Sequence, residues 1–200
     1  VNKTKVPKVN RALAIKLAAL GVAGEFDKFS LALRDVESAG NVDARGTWEY
    51  FARRFRLWIE SGLTGPVPFS IFAEKGNKKL PFYAFSSLPG FDCPGAGKCL
   101  LDDRAKGKGP DSWLGWCYSF TAWRYPAAYF RQLQNSILLR FGNQLIESAW
   151  ERIPNDKILR LYVDGDFHSL ESLRFWLDLM KEKPALRVYG YSKSWQLFLA

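Results

Sequence analysis

Sulfur and imidazole are scarce in this chain: three cysteines, one methionine and one histidine in 200 residues. One histidine excludes every two-histidine metal motif. An odd number of cysteines does not close a disulfide framework, so the thiols point first to metal or cluster ligation. No stretch approaches 18 consecutive apolar residues, which leaves no membrane span to be read. The basic start, Val1 to Lys8, is not followed by a signal-peptide core with a small-residue cleavage site. A reducing, cytoplasmic setting is therefore expected, in which thiolates stay available to metal. The missing initiator methionine and the apolar ending Leu197-Phe-Leu-Ala200 lead us to expect part of a longer product. Phosphate-cradling glycine motifs are missing too. Gly95-Ala-Gly97 is a turn, and Gly107-Lys-Gly109 sits in a basic loop without the flanking strand and helix. The acids are too scattered to nominate a paired-carboxylate nuclease, although Asp164 and Asp166 are the first pair to test. Cysteine–histidine nucleophilic catalysis would need His168, and nothing local supports it.

What is present is concentrated. All three cysteines fall within 25 residues, in Cys93-Pro-Gly-Ala-Gly-Lys-Cys99 and then Trp116-Cys117-Tyr118. The Pro-Gly-x-Gly turn folds the chain back so that Cys93 and Cys99 can face one point, and Cys117 returns after a polar, Gly-rich excursion. Trp113, Trp116, Tyr118, Phe120, Trp123 and Tyr125 crowd around Cys117, where they could shield a cofactor from water or stack on bases. The net charge is +9, from 29 Lys and Arg against 20 Asp and Glu. Such a balance fits nucleic acid or another polyanion as partner, or plain solubility. The positives gather modestly at Lys3 to Lys16, at Arg53-Arg54-Arg56 and at Arg104-Ala-Lys-Gly-Lys108. The last group lies inside the cysteine excursion and could draw an anionic ligand toward a metal site.

Periodicity divides the chain into a helical N-terminal segment, 1–64, and an α/β part, 65–200. Helices are predicted at 8–20, at 25–39, and from an N-cap at Thr47 to a stop at Gly62. Gly65-Pro66-Val-Pro68 makes the break. Val67–Phe72 and Leu80–Phe85 read as strands joined by the polar turn Glu74 to Lys79. A helix is expected from Tyr125-Pro126 to residue 140, where proline fits the first turn, and another from Asn143 to Arg152. Ile158–Val163 and Leu186–Gly190 read as strands around a helix at Ser169–Lys181. That is a βαβ unit with parallel pairing, the kernel of a partial (β/α) barrel-like sheet carrying a long cysteine loop. Ligand groups gather at the carboxyl ends of such strands. Asp164-Gly-Asp166-Phe-His168 follows the first strand and Tyr191-Ser-Lys-Ser194 the second. The plainer reading of the acids is a turn with a cap at Ser169, and of His168 a solvated loop residue.

The order CPGAGKC, WCYS, RQLQNSILL, LRLYVDGDFHS, RVYGYSKSW resembles the phage gene-product-88 family, over roughly residues 80 to 195. Carried over by position, the resemblance marks Cys93, Cys99, Cys117, Arg131, Asn135, Gly165, Asp166, Phe167, Tyr191 and Lys193. It implies a bacteriophage protein acting in the host cytoplasm. The insertion Leu100 to Gly115, and Asp164 and Ser192, depart from the family pattern. Residues 1–64 are not covered.

Three thiolates can hold a [4Fe–4S] cube by three corners. The fourth iron is then open, or bound by Asp166 or His168, with Arg131, Asn135, Tyr191 and Lys193 orienting a small polar or anionic ligand. The close Cys-x3-Cys-x2-Cys spacing of radical-SAM enzymes is absent, since the gaps here are 5 and 17 residues. Zinc competes through a closed site on the three cysteines and His168, though no Cys-x2-Cys pair is present. The wide spacing and aromatic surroundings suit a bulkier inorganic core. The other class of reading is a basic nucleic-acid-binding protein in which zinc is only a staple. A virion or host-interaction role is neither supported nor refuted.

Overall fold

The computed structural model describes residues 11–74, 82–96, 117 and 119–200. Cys99, Arg104 to Lys108, Trp113, Trp116 and Tyr118, and most of the turn expected at 74–79, lie outside the described residues.

Three helices open the chain: α1 (Arg11–Val22), α2 (Phe26–Ser38) and α3 (Trp48–Glu60). Thr47 caps α3 as expected, its hydroxyl accepting from the Tyr50 amide at 3.2 Å. Gly62, with φ +69°, turns the chain away after α3. Charges lock α2 to α3. The Glu60 carboxylate accepts from Ser30 and Arg34 of α2 at 2.7 and 2.8 Å, and Arg56 pairs with Glu37 at 2.6 Å. The apolar stripe of α3, Phe51, Phe55, Trp58 and Ile59, is buried.

A four-residue turn, α4 (Ser119–Ala122), precedes the central helix α5 (Pro126–Phe141), and α6 (Asn143–Glu151) follows it. Tyr125 is extended and Pro126 takes the first helical position, where its missing N–H costs nothing. One side of α5 carries Tyr129, Phe130, Leu133 and Ile137, all fully buried. Phe130 lies 5.2 Å from Phe55 and from Trp48 (ring centroids), and the Tyr129 hydroxyl donates to the Ala14 carbonyl at 2.6 Å.

The sheet is parallel and open, in the order β1 (Tyr83–Ala84), β2 (Ile158–Leu161), β3 (Arg187–Gly190). Tyr83 pairs with Leu159, and Ile158 to Leu161 pair with Arg187 to Gly190. Helix α7 (Leu170–Glu182) makes the crossover, capped by Ser169 through the Ser172 amide at 3.1 Å. The α/β class is as expected, and the sheet does not close into a barrel. Above it Phe72, Phe85, Tyr162, Trp150 and Trp176 pack ring against ring, with Phe85 and Trp176 4.9 Å apart.

One expected strand is corrected. Val67–Phe72 forms no ladder; only Ala73 bridges antiparallel to Ala84. Pro66 and Pro68 have no N–H to give a ladder. The Phe69 backbone pairs instead with a side chain, its N–H and C=O meeting the Gln134 carboxamide at 2.9 and 3.0 Å.

Candidate functional site

The polar residues of α5 explain how the loops are placed. Gln132, Gln134, Asn135 and Ser136 are all buried in the helix, which is costly for polar side chains unless they are hydrogen-bonded. Each has a loop partner. Asn135 donates to the Ile71 and Ser86 carbonyls at 3.1 and 2.9 Å. Ser136 bonds the Asp92 carboxylate and accepts from the Leu88 amide at 2.9 Å, while Arg140, one turn on, pairs with Asp92 at 2.7 Å. Asp92 is fully buried and immediately precedes Cys93, so α5 fixes where the first cysteine emerges. Gln132 joins the other loop: it accepts from the Trp123 indole at 2.9 Å and donates to Asp164 at 3.1 Å.

The carboxyl ends of β2 and β3 are then drawn together. The Phe85 amide donates to the Arg160 carbonyl, but the Phe85 carbonyl accepts from Val163 rather than from Tyr162, at 3.0 and 2.9 Å. One residue has been added to β2. This is a β-bulge, a device that re-aims side chains beside functional sites. Tyr162 carries it in a left-handed conformation, φ +55°, which a bulky residue adopts only when its surroundings enforce it. Its ring packs against Phe85, Phe167 and Trp176, and its buried hydroxyl accepts from the Trp176 indole at 3.0 Å. The ladder resumes with the Ser87 amide on the Asp164 carbonyl at 2.9 Å.

Asp166 binds the two loops into one unit. Its carboxylate accepts from the Ser192 hydroxyl, the Lys193 and Ser194 amides, the Ser194 hydroxyl and its own neighbour Phe167, at 2.7–3.1 Å. Five donors occupy both oxygens. The Cys-Pro-Gly-Ala turn packs on the same spot, since Gly95 backs directly onto the Lys193 carbonyl and leaves no room for a side chain.

Between these loops lies a cavity of about 450 Å³, within the range of small-molecule sites. Its walls bring together Cys93, Cys117, Asp164, Asp166, Tyr191 and Lys193, all singled out from the sequence, and add Arg160 and Tyr162, which were not. Burial pushes the Cys93 thiol up to about 12, assisted by the charges of Asp166, Asp92 and Cys117 and partly offset by a hydrogen bond from the Gly90 backbone. Burial also raises the Asp164 carboxyl, against the hydroxyls of Ser119 and Ser86, the Gln132 amide and the charge of Arg160.

Three expected site residues are placed elsewhere. Asn135 is spent on the loop carbonyls. Arg131 is half-buried with its guanidinium 6.0 Å from the Phe69 ring centroid, and burial lowers its pKa. Burial, and then the charge of Arg140, lower the His168 pKa, opposed by Asp92 and Glu171, and the residue does not line the cavity. Among the described residues no group of three His, Cys, Asp or Glu side chains is arranged to hold a metal ion. Cys99 lies outside those residues. Sequence reasoning missed Asp92, Gln132, Ser136 and Arg160. The run Gln132-Leu-Gln-Asn-Ser136 inside an apolar helix was the available signal for two of them.

No curated protein and no solved structure matches the chain. A family model described as gene product 88 matches residues 70–200, which takes in every motif just placed around the cavity. The segments that the family shares are thus the same ones that fold against one another here, and the chain belongs to the gene product 88 family of bacteriophage proteins.

Proposed function

We propose that the cavity is an iron–sulfur site, in which Cys93, Cys99 and Cys117 hold a [4Fe–4S] cluster whose fourth iron is left open to a small polar or anionic ligand. The observation that carries this reading is the meeting of Cys93 and Cys117 in one cavity at the carboxyl ends of β2 and β3. They reach it from separate segments, each with its own anchor, Asp92 beside Cys93 and Ser119 beside Cys117. Cys99 is tethered three residues from the cavity-lining Ala96, a span of at most about 11 Å. The Asp166 oxygens already accept five hydrogen bonds and are not free to serve as the fourth ligand.

Thiol chemistry separates this from a cysteine nucleophile. A nucleophile needs its thiolate stabilised near neutral pH. Cys93 has the opposite surroundings, low in water and negative, which favour a thiolate only when a cation arrives with it. The reducing host cytoplasm fits the same chemistry.

Anaerobic purification, or reconstitution with iron and sulfide, tests it. The expected protein is brown, absorbs broadly at about 400 nm, carries about four irons per chain and bleaches in air or with ferricyanide. Serine at Cys93, Cys99 or Cys117 should remove the colour without changing the far-ultraviolet circular dichroism. A colourless protein with about one tightly held zinc per chain overturns the cluster and leaves a structural staple.

A further inference from the structure

A second chamber of about 280 Å³ adjoins the cysteine cavity. Its walls include Tyr162, Phe167, Met180, Val188, Tyr191 and Phe198, and the two chambers share Tyr162, Tyr191 and Ser192. Tyr191 stands on the dividing ridge with 77% of its surface exposed. The Arg160 guanidinium sits 5.9 Å from its ring centroid, and Arg160 also lines the cysteine cavity. The Arg160 Nε is buried with no hydrogen-bond partner, and among the described residues Arg160 makes no ion pair. A buried guanidinium donor left unpaired beside a cavity is costly unless an acceptor arrives to meet it. Lys193 lines the same wall; of the two acids there, Asp166 already accepts five hydrogen bonds and Asp164 accepts from Gln132.

We propose that the paired chambers bind a nucleotide, a nucleoside 5′-phosphate, with its base stacked on Tyr191 toward the aromatic chamber and its phosphate held by Arg160 and Lys193. This rests on reading the cysteine cavity as a ligand site and names the class of anion it takes. A bare phosphate would leave the second chamber unfilled. A ring stacked on Tyr191 opposite a guanidinium gains from both π contact and charge, whereas an alkyl chain gains only from burial. The left-handed Tyr162 lies in the wall common to both chambers, which is where strain serves to aim ligand contacts.

Equilibrium dialysis of the full chain against the four ribonucleoside 5′-monophosphates tests this, with the matching nucleosides, inorganic phosphate, octanoate and a ten-nucleotide single strand alongside. At least one monophosphate should bind, with its nucleoside and phosphate each at least about tenfold weaker, or about 1.4 kcal/mol. Arg160→Gln should weaken the nucleotide at least about tenfold and leave the nucleoside unchanged; Tyr191→Ala should weaken both. Arg160 contributes to the wall, so circular dichroism of each variant accompanies the binding data, and the exposed Tyr191 supplies the variant that does not depend on folding. Failure of all four nucleotides to bind at about 1 mM overturns the proposal. So does tighter binding of octanoate or the single strand, or indifference to Tyr191→Ala. Iron and colour are scored on the same samples. Colourless protein that binds nucleotide keeps this inference and removes the cluster, and brown protein that ignores nucleotides does the reverse.

Discussion

An alanine Cβ at Gly95 would stand 2.1 Å from the Lys193 carbonyl oxygen, and one at Gly165 would stand 2.1 Å from Ser87 Oγ. Gly165 also has φ +82°, so two costs coincide there. Gly46 and Gly62 separate them, having positive φ but nothing within 4 Å of a built Cβ. Alanine at Gly46 or Gly62 should cost about 1–2 kcal/mol from conformation alone. Alanine at Gly95 should cost about 1–3 kcal/mol from overlap alone, and at Gly165 the two should add to about 2–5 kcal/mol. Urea denaturation of the four variants checks the ranking. A Gly165 variant no worse than Gly62 would mean that the Asp164-Gly-Asp166 loop is not pressed against Ser87. At this scale Cys93, Cys117 and the Gly-Asp-Phe loop were legible, because rare residue types and turn signals stand out in one dimension. Arg160 was not. Between Leu159 and Leu161 it reads as the outward member of an alternating strand, and only the bulge after it and the ring of Tyr191 give it a role.

Between elements, the clasp joining α2 and α3 sets a pH dependence. The Glu60 carboxyl is lowered to about 2 by the Ser30 hydroxyl, then by Arg34, with Arg56 adding to both. A folded-state pKa below the unfolded one stabilises the fold above the unfolded value and loses that contribution as pH falls through the folded one. Stability should therefore decline from about pH 4.5 toward pH 2, with a share owed to Glu60. Glu60→Gln should be less stable than the parent at pH 7 and should decline less steeply across that window. Parallel melting-temperature curves for the two proteins would remove Glu60 from the account. The helices themselves were legible, since Thr47, Ser169 and Pro126 are local signals that tertiary packing had no cause to override. The extended run Val67–Phe72 was misread for the opposite reason. Its hydrogen-bond partner is the Gln134 carboxamide, 65 residues away, and a side chain acting as a neighbouring strand leaves no periodic trace. The same holds for Asn135, which was assigned to the cavity and holds β1 and its approach instead.

For the whole molecule, one buried cluster runs from α1 through α3 and α5 to the sheet. The family match begins at residue 70, yet Tyr129, Phe130, Leu133 and Ile137 of α5 are completely covered, in part by the helices before it. A chain starting at residue 65 would bare that side of α5 and should aggregate or lose cooperative melting. A soluble 65–200 fragment with a sharp transition would show that the first three helices are dispensable. No helix among the described residues is long and apolar enough to cross a membrane. The sheet carries its own protection. Strand borders invite foreign backbone, and short or covered borders resist it. On one side, two hydrogen bonds between Ala73 and Ala84, 2.8 and 3.0 Å long, already occupy the margin. On the other, β3 offers only four residues before the amides of Lys193 and Ser194 turn inward to Asp166. Neither margin is left long enough to template a second copy.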